Sequence, residues 1–588
     1  MILAGLGLVL WIVSVSNANF LAMGPLGLVT VLGWAYFSGL ALVVIGFAME
    51  LMRTQLRERR LIVFVLLFIL YIFATACAVE PTAALTDSWL HAGFVQYIYV
   101  HGHVLNGFDS RFSWPGGFSL GAVLASFAGQ PNVIGFLRWF PPVIEVLYLA
   151  PMLVITRFSG VNRRAGWFAV ALFYVTNWIY QDYFSPQALN YLFFLVVLAA
   201  VLARLQPKWR ARTWSARLRV PAWVSAWRVK LFGDHSDGYE AVPVWGSQST
   251  LALLALLVLI CLASAMSHQL TPYALCLALG ACLVTRRLSR PELGAVAGLL
   301  AIGWLSLGAS NFWFGHLTSI FGSVGKISTT IGSNVTSRVT GSAGHLFVVE
   351  LRILLTAGLY LLAGVGVLRR RPNTRTLEAL AAAPFLLLAA QNYGGEGLLR
   401  VVLFGLPFTS LLAASAIIPN TTVRVRPRRR LGWFTRHSYP IMLSTVAIVV
   451  FGFSLATSIV RGGNDAYESF SIDELSAVNY TYAHLRPSQV VGTISSYVPF
   501  GSHGLGSIKF FDAASEASSP TVHLMQRALA KSHPTWLILS KSQEAWGEIV
   551  MGFPPGWEAG LESFLVNHGY QISAGWATAT VLRYAPGA

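Results

Sequence analysis

The chain has 588 residues, of which 55% are hydrophobic and only 11% charged. Soluble proteins carry about 25% charge, so this chain cannot cover a water-facing surface of its own, and most of it must face lipid. Its formal charge of +17 therefore points to membrane topology and excludes nucleic-acid binding.

A membrane crossing needs about 20 largely apolar residues. In chain order the sequence predicts thirteen: 1–17, 28–49, 61–79, 139–156, 166–180, 188–204, 248–266, 271–285, 293–310, 347–368, 379–391, 401–418 and 439–459. The run 116–129 predicts a further short helix, re-entrant or interfacial. The chain opens directly into an apolar run with no basic region before it, which reads as a membrane helix rather than a removed signal peptide. Cys77, Cys261, Cys276 and Cys282 all lie in apolar runs, where cysteine behaves as a small hydrophobe, and no pair has metal-site spacing.

Loop charge sets direction. Loops on one side (51–60, 157–165, 204–247, 286–292, 369–378 and 419–438) hold 28 Lys and Arg, and those of opposite parity hold four. The positive-inside rule places the first group in the cytoplasm. The expected topology is N-terminus in and C-terminus out. The basic, Trp-rich loop 205–247 is expected to lie on the anionic inner leaflet.

Residues 460–588 change character, with seven Lys and Arg against ten Asp and Glu. RPSQVVGTI and PTWLILS read as strands. PPGWEAGLESFLVNHGY reads as a helix that stops at Gly569, with Asn567 and His568 in its last turn. QISAGWATATVLRY reads as strand material. The expected fold is thus a polytopic α-helical membrane domain, residues 1–459, followed by an extracytoplasmic α/β domain, residues 460–588.

Polar chemistry gathers in the loops expected outside. In TDSWLHAGFVQYI, Asp87 and His91 stand four apart and share a face if the segment is helical. Asp109 and Arg111 follow, ahead of the turn Trp114-Pro115-Gly116. The seven-residue turn QDYFSPQ (181–187) holds Asp182, Tyr183, Phe184 and Gln187, with Pro186 opening the next helix. There Asp182 could bind a metal, an Arg or a sugar hydroxyl, or simply cap the helix. In QNYGGEGLLRVVLFGLPF, with Tyr393 near its start, Glu396 and Arg400 are also four apart. They read as a structural ion pair or as an Arg fork facing a lipid phosphate. Glu145 and Arg352 are charges in or near crossings. The Gly- and Ser-rich loop 310–346 offers Lys326, Arg338 and His345. Asp465, Glu468, Asp473 and Glu474 form a run just after the last crossing, placed either to pack on the membrane domain or to act as a solvated linker.

TDSWLHAGFVQYI, FDSRFSWPGGF, QDYFSPQALNYL, NYGGEGLLRVVLFGLP and NDAYESFSIDE together resemble stretches of a group of large actinobacterial membrane glycosyltransferases. The wider arrangement resembles the polyprenyl-phosphate-sugar-dependent enzymes of the GT-C fold. The resemblance runs from about residue 61 to 588. It implies an inverting transfer from a polyprenyl-phosphate sugar to a glycan or glycolipid acceptor on the outer face, with Asp87 as catalytic base and Asp109 as second candidate. Arg400, Glu396, Arg111 and His91 would meet the donor phosphate, and Tyr183, Gln187 and Tyr393 would lie close by. A divalent cation, Mg or Mn, beside Asp182 would assist the departing phosphate. Envelope-biosynthesis proteins are further expected partners. The chain departs from the simplest family pattern by lacking a paired Asp-Asp or Asp-Glu in its first loop and by carrying two crossings ahead of the usual first one.

A polysaccharide polymerase or ligase, a lipid-linked sugar flippase and a non-catalytic scaffold are the alternatives. No GxGxxG or Walker pattern supports nucleotide-driven chemistry, and no internal repeat of the transporter kind is visible.

Overall fold

The computed structural model describes residues 1–130, 132–206, 246–310, 312, 341–369, 374–390, 396–418, 432–517 and 519–585. The loop 205–247 (bar its edges), Lys326, Arg338 and Tyr393 lie outside the described residues.

The protein is a largely helical, multi-pass membrane protein carrying a strand-containing C-terminal domain. Among the described residues nine helices are long and apolar enough to cross a bilayer: Gly33–Leu51, Glu58–Val79, Phe140–Phe158, Pro186–Arg204, Ser247–Ser267, Pro291–Gly308, Ala343–Leu368, Gly397–Ile417 and Pro440–Glu468. That is nine rather than thirteen. The other four expected crossings fall on shorter helices, Ile2–Asn17, Arg163–Thr176, Thr271–Val284 and Arg375–Ala382. A 14-residue helix rises about 21 Å, short of a hydrocarbon core about 30 Å thick. The run 116–129 forms the short helix Gly116–Phe127.

Burial separates the inner helices from the lipid-facing ones. Gly397–Ile417 is almost wholly buried, packing on Ala343–Leu368, Arg163–Thr176 and Arg375–Ala382. Leu299, Leu307, Leu361 and Ile448 stand exposed on peripheral helices, as side chains bathed in lipid must. Helix ends are fixed locally. Ser185 accepts from the Ala188 amide and Pro186 takes the first turn. Arg138 donates to the carbonyls of Cys77, Ala78 and Pro81, closing the end of Glu58–Val79.

The C-terminal sheet has the order β2-β1-β3-β5-β4, from β1 Val490–Thr493, β2 Lys509–Asp512, β3 Trp536–Ser540, β4 Tyr570–Gly575 and β5 Ala579–Tyr584. β1 runs parallel to β2 and β3, while β5 is antiparallel to β3 and β4. The helix Trp557–Asn567 is followed by Gly569 at φ +92°, the left-handed position its sequence predicts. Strand β2 and the helices Ile472–His484, Val522–Ser532 and Lys541–Ile549 were not expected.

This domain rests on the helical body. Thr86 donates to the Ser496 carbonyl at 2.6 Å, and the Leu85 amide to Glu468 O at 2.8 Å. A Cβ on Gly93 would lie 1.9 Å from Gly501 O, so the two backbones touch only because residue 93 is glycine, while Gly501 holds φ +97°. The acidic run after the last crossing is packed rather than solvated at Asp465 and Glu474, which are buried. Glu474 caps its own helix through Ser471 and accepts from the Ser542 amide.

Candidate active site

The helix Thr86–His101 leaves the membrane body beyond Glu58–Val79 and turns Asp87 toward Arg111. Arg111 Nη1 donates to Asp87 Oδ1 at 2.8 Å. Its Nε and Nη2 donate to Asp109 Oδ1 and Oδ2 at 2.9 and 2.8 Å, and its own amide also donates to Asp109 Oδ1. One guanidinium thus ties both loop carboxylates, and it lies 5.4 Å over the Phe94 ring. The two acids differ in what they have left to offer. The Asp87 side chain is 56% exposed and engages Arg111 through one oxygen, whereas Asp109, at 21%, is gripped on both. Burial pushes the Asp109 carboxyl up, but the hydrogen bonds and charge of Arg111 outweigh it and hold the group below the usual range.

His91 stands one turn after Asp87, buried, with Nδ1 2.9 Å from the Phe184 carbonyl oxygen and its ring stacked on Tyr183 at 5.8 Å. A nitrogen facing a carbonyl must carry the proton, so Nε2 of the neutral ring is an acceptor. Burial, then the Arg111 charge, pushes the imidazole down to about 4. Through its bond to the Phe184 carbonyl, His91 pins the 181–187 turn to the loop helix.

Burial raises the Tyr183 phenol, with the charges of Asp87, Arg400, Glu396 and Arg111 as smaller influences. A second charged group is the Glu396–Arg400 pair, where Arg400 Nη2 meets Glu396 Oε2 at 2.7 Å. Arg400 is buried and Glu396 partly exposed, an arrangement that keeps a cation at the inner wall.

Asp182 is engaged from inside the membrane body. Its Oδ2 accepts from Arg461 Nη2 at 2.6 Å, both side chains are buried, and Arg461 is held 4.5 Å from both the Phe73 and Tyr180 rings. Asp182, Tyr183 and Arg461 line a small cavity with Leu85 and Ser88 of the loop-helix start. The Asp182 carboxylate does not fit the cation expected beside it, since a guanidinium already fills that place. Among the described residues no three His, Cys, Asp or Glu side chains converge as metal ligands. Gln187 is buried with neither amide atom hydrogen-bonded among the described residues. Glu145 accepts from Asn177 at 2.9 Å, and Arg352 donates to Val460 O. Both belong to helix packing. His345 packs its ring against Tyr467 at 6.4 Å.

His268 was missed. It lies in the turn between Ser247–Ser267 and Thr271–Val284, with Nδ1 accepting from the amides of Leu270 and Thr271 at 3.1 and 3.2 Å. Burial pushes it down to about 3, helped by the charges of Arg400 and His91. The only sequence signal was a polar Ser-His-Gln in a very short turn.

No protein-family model matches the chain, and no curated protein matches it. Among solved structures, the oligosaccharyltransferase of Archaeoglobus fulgidus is similar at TM-score 0.44 and 13% identity, over 84% of this chain and 71% of that one. ArnT from Cupriavidus metallidurans, solved bound to undecaprenyl phosphate, is similar at 0.43 and 12%, over 94% and 98%. The arabinofuranosyltransferase AftD from Mycobacteria is similar at 0.45 and 13%, over 91% of this chain and 42% of that longer one. Likeness this distant transfers no residue role and no activity to the present chain.

Proposed function

We propose that the chain is a membrane glycosyltransferase of the GT-C kind, moving a sugar from a polyprenyl-phosphate donor to a hydroxyl of a glycan or glycolipid acceptor. The observation that carries this reading is the half-exposed carboxylate of Asp87, held by Arg111 through one oxygen. A transfer of this class needs a base at an attacking hydroxyl and positive charge at a departing phosphate, and little else.

In the proposed mechanism Asp87 takes the proton from the acceptor hydroxyl as that oxygen attacks the anomeric carbon. The new glycosidic bond forms as the bond to phosphate breaks, and the configuration inverts. The polyprenyl phosphate leaves as an anion, without a proton, stabilised by Arg111 and Arg400. Asp109 holds Arg111 in place, and Tyr183, stacked on His91, is a substrate contact expected from sequence. Tyr393 is kept as a contact expected from sequence. No step is routed through a metal.

The proposed topology retains thirteen crossings, with the N-terminus cytoplasmic and residues 460–588 as a separate extracytoplasmic domain. It rests on the loop charges. Short crossings are tolerable where neighbours cover them: every residue from Ala165 to Thr176 is buried, so that backbone need not meet lipid.

The test is an assay in membranes with a panel of polyprenyl-phosphate sugars. Transfer by the native chain and none by Asp87→Asn supports the reading. Failure of every donor with the native chain defeats it in favour of transport or scaffolding.

A further inference from the structure

A cavity of about 370 Å³ lies between the end of the loop helix and the C-terminal domain. Gln96, Tyr97, His101 and Leu105 form one wall, and the Gly504–Ser507 segment forms the other. We infer that this cavity is a binding subsite for a neutral saccharide, the distal part of the acceptor glycan. The inference rests on the glycosyltransferase reading for the identity of that glycan, though not for the chemistry of the site.

The lining selects the ligand class. No Lys, Arg, Asp or Glu contributes to it, so it offers nothing to a phosphate, an amine or an acidic peptide. What it offers is aromatic surface with a few hydrogen-bonding groups. Tyr97 and His101 stack at 4.2 Å, and Tyr97 is backed edge-on by buried Phe112 at 6.1 Å. His101 Nδ1 faces the Tyr97 carbonyl at 3.0 Å, so its proton is placed there and Nε2 is an acceptor for a hydroxyl. The Gln96 amide both donates and accepts, and the Ser507 hydroxyl is exposed. A sugar ring has an apolar C–H face and an equatorial rim of hydroxyls, and it matches such a wall. The volume falls within the range of about 300–1,000 Å³ usual for small-ligand sites.

Position gives the subsite its meaning. His101 follows Asp87 by fourteen residues on one helix, or about 21 Å along its axis. A saccharide seated there cannot be the unit receiving the new sugar. It is an earlier part of the same chain, held while the growing end reaches Asp87. The opposite wall belongs to the C-terminal domain, so occupancy ties that domain to the loop helix. Gly504 and Gly506 adopt φ +66° and +81°, and a Cβ on Gly506 would lie 2.6 Å from Leu105 Cδ2. The wall stays close because those positions carry no side chain.

The test uses the purified full chain in nanodiscs, with disaccharides and longer oligosaccharides of the gluco-, manno-, galacto- and arabino-series as probes, and binding followed by saturation-transfer NMR and calorimetry. Longer members of at least one series are expected to bind. The Gln96→Ala/His101→Ala pair, at partly or fully exposed positions, should weaken that binding by about tenfold. Asp87→Asn should leave it unchanged. Oligosaccharide binding that ignores the pair overturns the inference, as does occupation of the cavity by a lipid chain with no saccharide binding. The two readings fail separately. Sugar transfer to long acceptors that is indifferent to the pair sinks the subsite alone, and saccharide binding lost in the pair without turnover of any donor sinks the transferase alone.

Discussion

Asp182 and Arg461 form a buried ion pair, Oδ2 to Nη2 at 2.6 Å, that joins the 181–187 turn to the last membrane helix. The two residues are 279 positions apart in the chain. Removing one partner of such a pair strands the other charge, at a cost of about 3–5 kcal/mol. Arg461→Met should therefore lower the unfolding temperature of the purified protein sharply. Asp182→Asn/Arg461→Met together should recover much of the loss. Equal damage by the single and double changes would show that the pair contributes packing and not charge.

Replacing Asp87 by Asn keeps its shape and one acceptor oxygen. If Asp87 is the base, turnover should fall about 10²–10⁴-fold with donor affinity little changed. Asp109→Asn should act through Arg111 and cost less, because Asp109 is already engaged on both oxygens. Initial rates at saturating acceptor distinguish the two. An active Asp87→Asn beside an inactive Asp109→Asn would reverse the assignment.

Arg400→Gln should raise the donor KM, and Arg400→Lys should restore only part of it. A lysine supplies the charge but not a planar fork for Glu396 and phosphate together. Competition by undecaprenyl phosphate alone would read the same loss without relying on turnover.

His91 gives a pH signature. Its folded value is depressed to about 4 from an ordinary 6.5, first by burial and then by Arg111. Between those values the unfolded chain binds the extra proton and the folded one does not. The native state therefore loses stability as pH falls through roughly 6.5 to 4 and gains it as pH rises through the same window. The pH dependence of thermal unfolding across that range should change in His91→Asn by the loss of this contribution, while that of His268, which has the same sign, is retained.

Much of this architecture was legible because one force dominates it. Lipid demands long apolar runs, and all nine of the membrane-length helices fall on expected crossings. The short helices were less legible, since residues such as those of Arg163–Thr176 are apolar from protein burial rather than lipid contact. In the site, i,i+4 spacing rightly put Asp87 and His91 on one helical face and Glu396 against Arg400. It could not show that Asp182 turns inward, because its partner Arg461 arrives from the far end of the chain. Nor could it show His268, whose role depends on where a two-helix turn is delivered in space. Strand β2, none of whose residues is buried, lacks the apolar run that revealed β1 and β3.

The contact between Gly93 and Gly501 has a mechanical consequence. The loop helix is anchored at its start, through Leu85 and Thr86, and again at mid-length, through Gly93. A rod clamped at two points cannot pivot independently of the body that clamps it. Any tilt of the C-terminal sheet therefore swings Asp87 away from Arg111, and any strain on Asp87 is transmitted back to the sheet. Substituting alanine at Gly93 would insert a wedge at the second clamp, and it would misalign the carboxylate without touching a single charged group.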